Sequence, residues 1–75
     1  MPKLPPISGD KAVKCFKKLG YVIVRQEGSH IRLRQAADPT RPPLTVPRHP
    51  TLGKGLLRKL MRDAEVNLEQ LIDLL

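Results

Sequence analysis

Apolar residues fall along this chain in two rhythms, and each predicts a different kind of element. Between residues 9 and 19, Ala12, Val13, Phe16 and Leu19 recur at helical spacing, with Lys11, Lys14, Lys17 and Lys18 largely elsewhere on the surface. Ser8 can cap that helix, Asp10 suits its positive first turn, and Gly20 suits its end. Residues 21–26, YVIVRQ, are β-branched and aromatic and predict a strand. Glu27-Gly28 then turns the chain. Residues 29–34, SHIRLR, alternate with a period of two, which sends Ile31 and Leu33 to one side and His30, Arg32 and Arg34 to the other. A proline-bearing loop over 35–42 leads to PLTVP at 43–47, a short strand whose flanking prolines suit an edge.

The helical rhythm returns at about 53–64. Leu56, Leu57, Leu60, Met61 and Ala64 form its apolar face, and Lys54, Arg58, Lys59 and Arg62 its basic one. Asn67 with Gln70 three residues later predicts a capped last helix, with Leu68, Leu71, Ile72 and Leu75 as its packing stripe. The order α-β-β-β-α-α predicts an α+β fold: one three-stranded antiparallel sheet covered by helices on one face, and a single domain over residues 1–75. If Ile31 and Leu33 face the helices, His30, Arg32 and Arg34 share the open face. A bulge ahead of His30 would spoil that inference.

Charge sharpens the picture. The 75-residue chain has a formal net charge of +7, and all 14 of its Lys and Arg lie within residues 1–62, against Asp10, Glu27 and Asp38. Residues 63–75 are acidic only. A basic body with an acidic tail points to a polyanion or an acidic protein as partner. The single cysteine, Cys15, rules out an internal disulfide and makes a cysteine-based metal site a poor reading. Neither a signal peptide nor a membrane-spanning apolar run is visible, so cytoplasmic residence without membrane attachment is the expectation.

The candidate chemistry is narrow. Two histidines, His30 and His49, without a converging ligand set do not make a zinc site. Ser29 adjoins His30, but neighbouring strand residues point to opposite faces, so no nucleophilic triad follows. Gly53-Lys54-Gly55 lacks the spacing of a phosphate-binding loop. What remains is an imidazole beside guanidiniums on a basic domain. An imidazole can take the proton of a ribose 2′-hydroxyl, and arginines can hold the phosphate that the 2′-oxygen attacks. DNA lacks that hydroxyl, so this chemistry selects RNA. The proton for the leaving oxygen has three possible sources: water, His49, or His30 used a second time. Phe16 and Tyr21 are the only aromatic residues apart from the histidines, too few for a sheet that stacks several bases.

Several motifs occur together: Ser8-Gly9, Leu19-Gly20-Tyr21, Gly28-Ser29-His30, Val46-Pro47 followed by His49, and Lys54-Gly55-Leu56-Leu57-Arg58-Lys59-Leu60. In this order, over about residues 4–75, the sequence resembles the HicA-type toxins of bacterial toxin–antitoxin systems. The resemblance implies a fold like the double-stranded-RNA-binding domain with an added C-terminal helix. It implies ribosome-independent cleavage of mRNA that arrests translation and growth, with no metal or other cofactor. It further implies His30 as the catalytic residue, Gly28 and Ser29 as support for its turn, and a HicB-type antitoxin as partner. Arg32, Arg34, Arg48, His49, Lys54 and Arg58 are the expected RNA contacts. The family commonly opens its second major helix with Gly-Thr-Leu; here Gly55-Leu56-Leu57 lacks the hydroxyl. A non-catalytic RNA-binding module and an antitoxin-binding domain of the same fold are the competing readings.

Overall fold

A computed structural model describes residues 3–75. The elements are α1 (Gly9–Lys18), β1 (Tyr21–Glu27), β2 (His30–Gln35), β3 (Leu44–Pro47), α2 (Lys54–Asp63) and α3 (Leu68–Leu74). The strands form one antiparallel sheet in the order β1-β2-β3, with β2 central and both neighbours at an edge. This is the expected α+β arrangement.

The helix ends follow their local chemistry. The Ser8 hydroxyl accepts from the Lys11 amide at 3.1 Å, and Asp10 lies in the first turn of α1. Gly20 follows the helix with φ +101, a conformation a side chain resists, and its amide donates to the Lys17 carbonyl. Asn67 and Gln70 form a reciprocal capping box at α3. The core joins Phe16, Tyr21, Leu33, Leu44, Val46, Leu57 and Leu71, all at most 2% exposed. Burial of such side chains is the main stabilising term of a domain this small.

Two expectations change. The inward side of α3 is Leu68, Leu71 and Leu74, while Ile72 and Leu75 are exposed. The helix meets α1 along the 68–71–74 line. There the Lys18 ammonium and the Cys15 thiol reach the Leu74 carbonyl at 2.8 and 3.8 Å. The acidic tail therefore folds back onto α1. Cys15 is buried, and burial raises its thiol pKa above the ordinary value, so it is a packing residue and a poor nucleophile. Second, burial along the sheet is uneven: on β1 only Tyr21 is buried, and Val22, Ile23 and Val24 are exposed.

The loop over 36–43 is tied down at one point. Arg41 donates to the Ala64 carbonyl at 3.1 Å and pairs with Asp38 and Glu65. Asp38 accepts from Thr40, which together with Arg41 holds its carboxyl below the usual range.

The chain from Pro47 to Leu52 crosses from the sheet to α2 and is anchored on both sides. Gly9 N–H donates to the His49 carbonyl at 2.9 Å, Arg48 N–H to the Ser29 carbonyl at 2.7 Å, and Leu52 N–H to the Ile7 carbonyl at 2.8 Å. At Gly9 the backbones touch: an added Cβ would lie 1.9 Å from the Pro47 carbonyl oxygen. At Gly55, the exposed second residue of α2, an added Cβ would meet no atom within 4 Å. Alanine is the better helix former at both places, so the two substitutions separate packing from propensity. Gly9→Ala is expected to destabilise the protein by about 1–3 kcal/mol through backbone displacement, and Gly55→Ala to stabilise it by roughly 0.5–1 kcal/mol. Urea denaturation of the two variants checks both signs.

Candidate functional site

His30 opens β2 directly after a two-residue hairpin turn made by Gly28 and Ser29. Gly28 has φ +56 and Ser29 is not left-handed, the pattern of a turn with glycine at its first central position. A side chain at Gly28 would meet nothing within 4 Å, so the demand for glycine there is torsional, not steric. The Ser29 carbonyl is held by the Arg48 amide. The turn that presents His30 is thus fastened to the segment that carries His49.

The sheet register sets the neighbours. His30 pairs with Glu27 on β1 and with Pro47 on β3, and Arg32 pairs with Arg25 and Thr45. Along β2, His30, Arg32 and Arg34 are exposed while Ile31, Leu33 and Gln35 are buried. The expected open face is therefore present. Strict alternation along β1 would have sent Arg25 inward with Tyr21 and Ile23. A bulge between Ile23 and Arg25 shifts the register by one and turns Arg25 and Glu27 outward beside Arg32 and His30. No glycine or proline marks this bulge in the sequence, so Arg25 escaped sequence reasoning. Its guanidinium and the Glu27 carboxylate form an ion pair, with both side chains 68% exposed. An exposed pair of this kind opens readily to a competing anion.

Arg25, Glu27, His30, Arg32 and Thr45 line a small groove of about 140 Å³ on the open face. Two guanidiniums, one imidazole and one hydroxyl converge there, a donor set suited to a phosphate. Arg34 lies on the same face, next along β2, paired with Val22 rather than with another polar group. His49 lies off the sheet, on a second groove that His30 also lines.

The other expected contacts are dispersed. Arg48 is engaged with Asp10, its Nε and Nη2 donating to the two carboxylate oxygens at 3.0 and 3.3 Å, and this pairing raises the arginine's pKa further. Lys54 lines a separate hollow beside the proline-rich lead-in. Arg58 is an exposed residue of α2 and borders none of these grooves. Helical spacing made Lys54 and Arg58 one basic face but could not tell which way that face looks. Among the described residues no group of three or more His, Cys, Asp or Glu side chains converges on one point, and no helix is long and apolar enough to cross a membrane.

A small basic α+β domain with a histidine-bearing hairpin on its open sheet face is the class defined by these features. The family model for the HicA toxin of bacterial toxin–antitoxin systems matches residues 9–66, and the chain belongs to that family. It is the toxin member of a toxin–antitoxin partnership. Neither the curated proteins nor the solved structures contain a match.

The turn geometry carries its own test. Gly28→Ala should lower stability by about 1–2 kcal/mol, the cost of a left-handed L-residue, and shift the His30 ring resonances. D-alanine at residue 28, accessible by chemical synthesis of a 75-residue chain, should restore both, because a D-residue is at ease at positive φ. Equal behaviour of the two alanines would show that the turn does not depend on this torsion.

Proposed function

We propose that this toxin is a metal-independent, ribosome-independent endoribonuclease that cleaves mRNA with His30 as general base, and that loss of mRNA arrests translation and growth. The observation that carries the reading is the groove in which His30 meets Arg25 and Arg32 on the open face. RNA laid across it puts a phosphate between the guanidiniums and the adjoining 2′-hydroxyl near the imidazole. His30 takes the hydroxyl proton, the 2′-oxygen attacks phosphorus, and the bond to the 5′-oxygen breaks. The products are a 2′,3′-cyclic phosphate and a 5′-hydroxyl. The arginines oppose the charge that builds on the phosphoryl oxygens. Glu27, the cross-strand partner of His30, borders the same groove and is paired with Arg25. The face is open to solvent, so water can protonate the departing oxygen. The partner is a HicB-type antitoxin that presents acidic and hydrogen-bonding groups to this same basic face, which makes antitoxin and RNA mutually exclusive.

Wild-type protein incubated with single-stranded RNA in EDTA should yield cyclic-phosphate ends. His30→Ala should cut at least about 100-fold more slowly while keeping most of its RNA affinity, and should relieve growth arrest on induction. Cleavage at equal rates by both proteins would remove His30 from the mechanism. Binding without cleavage by either would leave an RNA-binding or antitoxin-binding module.

The arginines should separate in a salt titration of RNA binding. Arg32→Ala should weaken affinity and lower the log–log salt slope by roughly 0.7, as expected for one lost contact to a single strand. Arg48→Ala should change the slope less, because Asp10 already neutralises that side chain.

A further inference from the structure

His30 and Thr45 stand on a divide. On one side is the small polar groove; on the other is a larger one of about 390 Å³ between β3 and α2. The larger groove has a different character. Pro43 and Pro47 from the β3 segment and Leu56 and Leu60 from α2 give it apolar walls. His49 lines it, and so do Lys59 and Asp63, whose side chains are paired at 3.1 Å. Asp63 is the less exposed of the two, at 23% against 66% for Lys59.

We propose that this second groove is a nucleobase subsite, that it holds the base next to the scissile phosphate, and that the Lys59–Asp63 pair makes it select guanine. The inference rests on the RNA-cleavage reading and adds the identity of the base. Three observations support it. First, the groove is continuous with the phosphate-sized one through His30, so a nucleotide whose phosphate lies against His30 can reach it with its base. Second, its volume falls in the range of small-molecule sites, about 300–1,000 Å³. Third, Phe16 and Tyr21 are buried in the core at 0% and 2% exposure. An unstacked base therefore finds no aromatic platform on the sheet, and the flat surfaces left to it are the proline rings and the imidazoles of this groove.

The selection follows from donor and acceptor order. A carboxylate only accepts, and accepts two parallel hydrogen bonds well; an ammonium only donates. Guanine alone offers two adjacent donors, N1–H and the 2-amino group, beside an acceptor, O6. Asp63 can accept from both donors while Lys59 donates to O6. Uracil offers one donor to the carboxylate. Adenine and cytosine present a ring acceptor where guanine has N1–H, which sets lone pair against lone pair at the carboxylate.

Two measurements test this. In the first, wild-type protein cuts a randomised RNA pool and the ends bearing cyclic phosphate are sequenced. Guanine should be enriched at one position flanking the cut, by roughly tenfold. Replacing that guanosine with inosine, which lacks the 2-amino group, should slow cutting by the wild type but not by Asp63→Asn. In the second, binding of short oligoribonucleotides carrying a single guanosine, inosine or adenosine is measured on the His30→Ala protein, so base preference is read without cleavage. Guanosine should bind most tightly. Cleavage without base preference at either flanking position, together with equal binding of the three oligonucleotides, overturns the subsite and leaves His30 catalysis standing. Guanosine-selective binding with no cleavage by the wild type supports the subsite and overturns the nuclease reading. The inosine comparison needs no substitution in the protein, so a folding defect in Asp63→Asn cannot mimic the result.

Discussion

The site depends on one close approach between backbones, that of Gly9 to the carbonyl of Pro47. It brings the start of α1 against the chain leaving β3, and the hydrogen bonds donated by the Gly9, Arg48 and Leu52 amides to the His49, Ser29 and Ile7 carbonyls follow along the same seam. The crossing segment is thereby clamped between the lead-in to α1 and the hairpin turn. His30 and His49, 19 positions apart in sequence, border one groove because of this clamp. The Asp10–Arg48 pair lies on the same seam. In that setting it serves cohesion between α1 and the crossing more naturally than ligand binding.

The architecture also sorts charge. The acidic last helix packs on α1, on the helical side, where the Lys18 ammonium reaches its final turn at Leu74. Its carboxylates are thus kept with the helices. The open face retains Arg25, Arg32 and Arg34, with Glu27 as the acid on its strands. The net charge of +7 therefore understates how positive the field is where a polyanion would approach.

Much of the fold was legible in the sequence because local chemistry dictates it. The Ser8 cap, the left-handed Gly20 and the Asn67–Gln70 box each rest on contacts within about four residues. The alternation in β2 placed His30, Arg32 and Arg34 correctly because that strand is regular and one of its faces is buried. On β1 a bulge with no compositional marker sets the face of Arg25, which the sequence alone does not reveal. The surroundings of Arg48, Lys54 and Arg58 were not legible, because they are set by contacts over long sequence separations. Ile72 and Leu75 were assigned inward because the helix was read alone, without the single line along which α1 receives it.

Strand β1 contributes little to the core yet supplies one bank of the polar groove. Tyr21 alone of its residues is buried, and among the described residues no strand pairs with its outer edge. β3, the other edge, buries Leu44, Val46 and Pro47. What holds β1 is its ladder to β2, which runs from Tyr21 to Glu27 and is longer than the ladder between β2 and β3. Arg25 and Glu27 at its far end are a paired cation and anion, so this bank adds hydrogen-bonding groups to the groove without adding net charge. The net charge of the groove is therefore set by the central strand, and the edge strand gives it shape.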